Sequence, residues 1–244
     1  MSGKPLLNVI KLNKNFGGVQ ALDNVSFELQ KGELLGVIGP NGSGKTTIFN
    51  CISNYFPVTS GSIHFNDQDI TGLKTNKICK AGIGRTFQVV KPLGRLSVLD
   101  NVIAAAFSQA KDKKEAHDIA METLEFCGLM HRKDIIAKSL PIGERKRLEI
   151  TRSMATGPQL LLLDETAAGL TPSEVDLAIE LIKKIRDSGV TIIIVEHIMK
   201  VIMTISDRIH AINFGTTIAH GTPKEVSNDK AVIEAYLGEE YAHS

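Results

Sequence analysis

Short hydrophobic runs alternate along the chain with longer segments in which apolar and polar positions recur at helical spacing. The short runs are rich in Leu, Ile and Val and are bounded by Gly, Asp or Pro, which is typical of strands covered on both faces. The predicted strands of this kind are residues 33–38, 160–163, 190–195 and 208–214, and the predicted helices are residues 46–54, 110–127, 144–156 and 172–187. This alternation predicts an α/β fold with a mostly parallel sheet.

Two parts of the chain depart from the alternation. Near the start, residues 6–12, 25–29 and 62–65 are short strand-like runs separated by Gly-rich turns, which predict a small antiparallel β arm. Residues 89–156 show almost no strand signal and predict an inserted α-helical subdomain. We therefore expect a single domain over residues 1–244. Its parts are the arm and first core at about 1–88, the helical subdomain at about 89–156 and the remaining core at about 157–244.

The composition narrows the class of partner. The chain has 28 Lys and Arg against 27 Asp and Glu, a net charge of +1, which argues against nucleic acid as a partner. Cys51, Cys79 and Cys127 form no CxxC pair, which predicts free thiols in a reducing compartment. The first residues lack the apolar stretch of about 7–15 residues that is typical of a secretory signal, and no apolar run approaches the roughly 18 residues of a membrane span. We expect a cytoplasmic protein that reaches a membrane only through a partner.

A glycine-rich loop follows the first buried strand and precedes a predicted helix. It reads Gly-Pro-Asn-Gly-Ser-Gly-Lys-Thr and matches the pattern GxxxxGK[ST]. Its glycines allow successive backbone N–H groups to face a phosphate, and the helix start adds the positive end of its dipole. Lys45 supplies a charge for the β- and γ-phosphates, and the Thr46 hydroxyl is a ligand for Mg²⁺. The predicted nucleotide-binding residues here are Gly39, Pro40, Asn41, Gly42, Ser43, Gly44, Lys45, Thr46 and Thr47.

Two adjacent carboxylates end the buried strand at residues 160–163. Because neighbouring strand residues point to opposite sides, Asp164 and Glu165 can perform different tasks. Asp164 is expected to hold Mg²⁺ through water, as in other P-loop ATPases. Glu165 is then the candidate general base that polarises the attacking water.

Two further polar residues stand at strand ends or junctions. His197 follows the strand at residues 190–195, at the sheet edge where α/β proteins hold ligands, and is expected to reach the γ-phosphate and orient Glu165. Gln88 lies where the core gives way to the helical insert, and is predicted to bind Mg²⁺ or water beside the γ-phosphate.

Residues 139–147 open a helix that stops at Gly157-Pro158. The N–H groups at its start favour an anion, yet nothing in the same chain requires this second anion-seeking helix end. A second copy of the protein, or a paralogue, would give it a purpose. The basic run at residues 145–147 is expected to be a solvated helix face.

In this order, the motifs resemble those of the ATP-binding subunits of ABC transporters. The resemblance covers essentially the whole chain and rests on GPNGSGKT (39–46), the Gln88 loop, LPIGE (140–144), LLLLDE (160–165) and His197. It implies a P-loop NTPase core and a head-to-tail dimer with a second ABC ATPase subunit, a paralogue or an identical copy. Each ATP would lie between one phosphate loop and the other subunit's signature residues, which are here Leu140, Pro141, Ile142, Gly143 and Glu144.

The same resemblance implies a cycle and an adenine contact. ATP binding would close the dimer and hydrolysis would open it, and this motion would drive transmembrane permease subunits. Phe16 aligns with the aromatic residue that stacks on adenine in the family, although it also suits the core of the β arm.

Finer details resemble the ATPase subunits of branched-chain amino-acid importers. They are GIGRTFQ (82–88), LPIGERKRLEI (140–150), AAGLTP (167–172), EHIMKVI (196–202) and VIEAYLGEE (232–240). This implies a solute-binding protein as an indirect partner, and a position on the inner face of the cell membrane, held by the permease. Pro141 is a trait of this subfamily, whereas Ile142, Glu144 and Thr166 depart from the usual residues. None of these changes removes a catalytic group, so we expect active hydrolysis.

Other interpretations stay open. Another ABC system, such as lipid or lipopolysaccharide export, would use the same ATPase, and only the finer motifs favour import. An ABC ATPase acting on DNA or ribosomes is disfavoured, because there is no long heptad segment and the chain carries one cassette. A P-loop kinase would gain nothing from a water-activating Glu165. In a transporter, the permease is expected to contact residues 89–96, beside Gln88.

Overall fold

The computed structural model describes the backbone of residues 4–87 and 92–242 and the side chains of residues 4–87 and 92–236. These residues form two compact units. The first contains the described residues of Met1–Ile78 and Thr191–Ser244, and the second contains those of Cys79–Val190. The three-part subdivision expected from the sequence stays a prediction.

Strands and helices are interspersed along the described chain. The strands are β1 (Leu7–Phe16), β2 (Val19–Leu29), β3 (Leu34–Ile38), β4 (Ser60–Phe65), β5 (Gln68–Asp69), β6 (Ile83–Arg85), β7 (Leu160–Asp164), β8 (Thr191–Val195), β9 (Arg208–Asn213) and β10 (Thr216–Gly221). The helices are α1 (Lys45–Ile52), α2 (Thr75–Ala81), α3 (Val98–Ala106), α4 (Lys113–Phe126), α5 (Ile142–Met154), α6 (Pro172–Asp187), α7 (Met199–Ile205), α8 (Pro223–Ser227) and α9 (Lys230–Ala242). The predicted α/β fold class is confirmed.

The first unit contains the antiparallel arm and part of the core. In the arm, β1 lies between β2 and β4, and β5 extends the sheet beyond β4. In the core, β3 lies between β8 and β9 and is parallel to both, while β10 is antiparallel to β9. All five residues of β3 and of β8 are buried, as expected for strands that are covered on both faces.

The second unit combines a strand pair with helices. The strands β6 and β7 are parallel, with Arg85 opposite Leu162. The helices α3, α4 and α5 share a core of small and branched side chains, which allow close helix packing. These include Val98, Val102, Ala106, Ala116, Ala120, Leu124 and Leu148. This helical layer is the α-helical insert that the lack of a strand signal predicted.

Two remaining observations concern membranes and thiols. Within residues 4–87 and 92–242, no helix has both the length and the apolar character needed to cross a bilayer.

Cys51 and Cys127 are buried free thiols, and burial raises the pKa of Cys51 to about 11. The Cys51 thiol therefore stays protonated at neutral pH and behaves as a small apolar side chain.

Candidate functional site

The loop between β3 and α1, residues 39–44, has a backbone that only glycine adopts easily. The φ angles of Gly39, Gly42 and Gly44 are +154°, +74° and +108°. The neighbouring main chain also leaves no room at the first position, since a Cβ atom on Gly39 would lie 2.0 Å from the carbonyl oxygen of Ile212. The glycines are therefore required by backbone conformation and by close packing, as the sequence pattern predicted.

The polar groups of this loop suit a phosphate. Lys45 is buried, and its Nζ donates to the carbonyl oxygens of Gly39 and Pro40 at 2.7 and 2.8 Å. The Oγ atom of Ser43 is buried and has no hydrogen-bond partner among the described residues. No side chain caps the start of α1, and its first turn carries no acidic residue. A confined ammonium, an unsatisfied hydroxyl and an uncapped helix start together fit a phosphate group.

The other loop residues predicted to bind nucleotide lie around this pocket. Asn41 and Gly42 are exposed at the crest of the loop, and Thr46 and Thr47 are half-buried in the first turn of α1. The predicted set is thus assembled locally, because it occupies one turn and one helix end.

His197 lies at the same sheet edge as the loop. In the parallel pair of β3 and β8, Val37 is opposite Val195, so Gly39 and His197 each stand two residues beyond this pair. His197 is exposed, whereas the preceding Glu196 is buried. The sheet register therefore places the imidazole-bearing residue and the phosphate loop at neighbouring strand ends.

An aromatic cluster lies at the end of β1. The Phe16 ring is 41% exposed and meets the Phe56 ring edge-on, with 5.2 Å between centroids. Tyr55 contacts Phe56 in turn, and Lys14 Nζ lies 4.7 Å from the Phe16 centroid. The Phe16 ring thus combines an exposed surface with a packed edge, which suits an adenine-stacking residue. The sequence did not single out Phe56 as its support.

In the second unit, Asp164 ends β7 and is held by two residues from β6 and its end. An Arg85 guanidinium nitrogen lies 3.3 Å from Asp164 Oδ2, and both side chains are buried. The backbone N–H of Asp164 donates to Thr86 Oγ1 at 3.1 Å. The Arg85 cation offsets part of the free energy that desolvation of the Asp164 carboxylate costs. Arg85 and Thr86 were missed as site residues, since no motif marks them as partners of Asp164.

Glu165 has an unusual backbone and an unexpected partner. Its φ angle is +49°, in the left-handed region that residues other than glycine seldom adopt. Lys146 of α5 is buried and its Nζ donates to the Glu165 carbonyl oxygen at 2.8 Å. The expectation of a solvated face is therefore wrong for Lys146, because its side chain reaches under the strand end. Lys146, Asp164 and Glu165 line a small open depression on this unit.

The predicted signature residues surround the start of α5. This helix begins directly after Pro141, and no side chain caps its first turn. Leu140 is buried beneath it, while Ile142 is exposed. A Cβ atom on Gly143 would lie 2.4 Å from Glu174 Oε1, so a larger residue here would require the Glu174 carboxylate to move.

Glu144 is held beside this helix start. Its Oε1 accepts from Arg132 Nε at 3.0 Å. The signature segment thus presents an uncapped helix start, with its first acidic side chain paired to a cation.

These groups divide between the units. The phosphate loop, Phe16 and His197 belong to the first unit, and Asp164, Glu165 and residues 140–144 belong to the second. Thr46 and Asp164 offer the oxygen ligands that Mg²⁺ prefers, so the donor chemistry fits this ion. Gln88 lies outside the described residues. A joint site, and every role assigned to these residues, stays a prediction.

Comparisons with known proteins agree with the motifs. The family model described as "ABC transporter" matches residues 22–168, and the model "Branched-chain amino acid ATP-binding cassette transporter" matches residues 216–242. The chain is 42% identical to the high-affinity branched-chain amino acid transport ATP-binding protein LivG of Escherichia coli K12, covering 97% of this chain and 99% of LivG. It is 36% identical to the lipopolysaccharide export system ATP-binding protein LptB of the same organism, covering 96% and 98%.

Solved structures give the same result. The ADP conformation of MJ1267, an ATP-binding cassette of an ABC transporter, superposes with a TM-score of 0.88 at 30% identity and covers 97% of this chain and 100% of MJ1267. A dimeric post-hydrolysis state of the cassette MJ0796, bound to ADP and Pi, has a TM-score of 0.79 at 25% identity, covering 89% and 98%. The chain belongs to the ATP-binding subunits of ABC transporters.

Proposed function

We propose that this protein binds and hydrolyses ATP to power the import of branched-chain amino acids. ATP binding and hydrolysis are supported by the loop at residues 39–44 and the helix start that follows it. This region holds the confined Lys45 ammonium and the unsatisfied Ser43 hydroxyl. The observation that carries the substrate class is the match of residues 216–242 to the branched-chain amino acid model.

The chemistry assigns one task to each group. Backbone N–H groups of the loop and Lys45 bind the phosphates, and Phe16 stacks on the adenine. Glu165 accepts a proton from the attacking water, and His197 orients this water and the γ-phosphate. Thr46, Gln88 and, through water, Asp164 would hold Mg²⁺, which when bound neutralises charge on the phosphate oxygens.

The signature residues 140–144 at the start of α5 favour a dimer. The start of α5 has no side-chain cap, and an anion is the partner that such a helix end favours. A phosphate bound to a second ABC ATPase subunit, arranged head to tail, supplies that anion. The dimeric MJ0796 structure supports, by analogy, the formation of a dimer.

A lipid or lipopolysaccharide export ATPase is the second candidate. It is supported by the 36% identity to LptB over almost the whole chain. The identity to LivG is 42%, over a similar coverage, and therefore favours amino-acid import. In either case the protein would lie on the inner face of the membrane, held by permease subunits.

The test compares Glu165→Gln with the unmodified protein and with Glu122→Gln, which changes an exposed carboxylate of the same unit. We expect Glu165→Gln to bind ATP but to hydrolyse it at least about 100-fold more slowly, because a general base typically contributes roughly 10²–10⁴ in rate. The variant should accumulate an ATP-bound dimer in size-exclusion chromatography. Turnover close to that of Glu122→Gln would dismiss Glu165 as the base.

The same variants test the substrate class. In proteoliposomes with the permease and a leucine-loaded binding protein, the unmodified ATPase should drive leucine uptake and Glu165→Gln should not. Stimulation by lipopolysaccharide, without leucine uptake, would instead favour the export candidate.

A further inference from the structure

The Tyr236 hydroxyl group of helix α9 contacts the phosphate loop. The backbone N–H of Gly39 donates to the Tyr236 Oη atom at 3.0 Å, across 197 positions of sequence. We propose that Tyr236 is a positioning residue for the phosphate loop, so that docking of α9 and binding of a nucleotide phosphate stabilise each other. This inference rests on the proposed nucleotide binding and adds a residue that the GxxxxGK[ST] pattern does not contain.

Gly39 forms hydrogen bonds both to Tyr236 and to Lys45, a residue predicted to bind the phosphates. Its N–H is held by Tyr236, and its carbonyl oxygen accepts from Lys45 Nζ at 2.7 Å. One residue thus connects the α9 hydroxyl to the ammonium predicted to bind the β- and γ-phosphates. A shift of the Gly39 backbone would move the Lys45 ammonium, and displacements of about 1 Å are enough to weaken a preorganised site.

Two further contacts of the loop region involve main-chain groups alone. The Ser43 carbonyl oxygen accepts from the Gly215 N–H at 2.9 Å, and the Gly215 carbonyl oxygen accepts from the Asp23 N–H at 2.8 Å. Substitution does not delete these backbone groups, so they hold the loop in any variant. The Tyr236 hydroxyl is an anchor that a single substitution can remove while leaving the aromatic ring in place.

The start of α9 is fixed in a way that suits this task. Asp229 Oδ1 accepts from the N–H groups of Ala231 and Val232 at 2.8 and 3.3 Å, and the Val232 side chain is buried. Tyr236 lies about one helical turn further along the same helix. A capped and packed helix start holds this residue beside the loop.

The direction of the coupling follows from linkage. If phosphate binds better to the loop with Tyr236 in place, bound phosphate must strengthen the docking of α9 by the same factor. An ordinary packing contact would stabilise the free protein without this reciprocity. Two measurements therefore distinguish reciprocal coupling from an ordinary packing contact. They are the affinity for nucleotide and the degree to which nucleotide slows amide hydrogen exchange in α9.

The experiment compares full-length Tyr236→Phe with the unmodified protein and with Glu234→Gln, which changes an exposed side chain on the same helix. ADP affinity is measured by calorimetry. Loss of one hydrogen bond predicts roughly 2- to 10-fold weaker ADP binding in Tyr236→Phe. Glu234→Gln should bind ADP like the unmodified protein.

Amide hydrogen exchange supplies the second readout. ADP should slow exchange in residues 230–242 of the unmodified protein and of Glu234→Gln, and should have little effect there in Tyr236→Phe. Equal ADP affinity and equal ADP-dependent protection in Tyr236→Phe and the unmodified protein would overturn the inference while leaving the proposed function intact. If the unmodified protein itself fails to bind ADP, the proposed function and the inference both fail.

Discussion

His210 shows how strongly a single buried residue can tie stability to pH. It lies on β9, with its Nε2 atom 3.1 Å from Thr217 Oγ1 and its ring against Phe27. Burial, together with the neighbouring His220 and Arg208, lowers the pKa of His210 to about 4. The folded protein therefore keeps this imidazole neutral at a pH at which the unfolded chain protonates it.

This gives a prediction for acid stability. Because the pKa is lower in the folded state, the contribution of His210 is present above about pH 6.5 and is lost as pH falls towards 4. Between pH 7 and pH 5 the free energy of unfolding should drop by about 2 kcal/mol from this group. Urea unfolding at both pH values measures the drop, and His210→Gln should show a smaller one. An equal drop in the variant would contradict this assignment.

The contrast between predicted and missed residues has a physical cause. The phosphate loop could be predicted from sequence because it is built from consecutive residues of one turn and one helix start. Arg85 and Tyr236 could not, since their partners lie 79 and 197 positions away in the sequence. Whether a basic or aromatic side chain finds such a partner depends on packing between elements, which no local pattern encodes.

At the scale of elements, the helices whose ends carry strong local signals were predicted most accurately. The helix predicted at residues 172–187 is α6, since Pro172 in its first turn and a Thr171–Glu174 capping box fix its start. The helix predicted at 144–156 begins two residues earlier, at Ile142, directly after Pro141. The helix α3 was not predicted individually. Its Ser97 cap and apolar face were present in the sequence, but the segment was described only as part of the helical insert.

The contact between α5 and the end of β7 supports a prediction about catalysis. The hydrogen bond from Lys146 to the Glu165 carbonyl oxygen fixes a backbone conformation that is otherwise unfavourable. Lys146→Met should lower kcat for ATP hydrolysis by about 10-fold, because a hydrogen bond from a charged group is lost. ATP affinity should change much less.

Two comparisons sharpen this experiment. Lys146→Arg should recover part of the rate, since a cation is restored near the same carbonyl oxygen. Lys138→Met, at an exposed lysine of the same unit, should leave kcat unchanged. A parallel loss of kcat in Lys138→Met, or none in Lys146→Met, would refute the role of this contact.

At the scale of the whole molecule, the order of motifs carried more information than any single motif. The alternation of strands and helices indicated the fold class, and similarity to LivG extends over 97% of the chain. The phosphate loop and the two carboxylates belong to different units, so their joint action stays a prediction. The subunit's permease-facing surface is equally a property of the assembled transporter.

Residues 89–91 of the predicted permease contact at residues 89–96 lie outside the described residues, and the contact can be tested at Leu93. Its side chain is 43% exposed, while its backbone N–H donates to the buried Asn101 Oδ1 at 2.8 Å. An exposed leucine on a backbone held by this hydrogen bond suits a docking surface. Leu93→Asp should abolish leucine uptake with the permease and leave the ATPase rate of the isolated subunit unchanged.

Leu73→Asp is the matched control, since Leu73 is 37% exposed and lies in the other unit. It should leave both uptake and ATPase activity intact. Normal uptake with Leu93→Asp would exclude this residue from the coupling surface.

The two hydrogen bonds from Lys45 Nζ to loop carbonyl oxygens have a thermodynamic consequence. An incoming oxyanion would exchange these internal bonds for its own, so the net enthalpy gained at Lys45 is the difference between the two sets. The ammonium also loses little rotational freedom when the oxyanion binds, because the Lys45 side chain is already held in place. Calorimetric titration should therefore show a modest heat from this lysine together with a small entropic penalty.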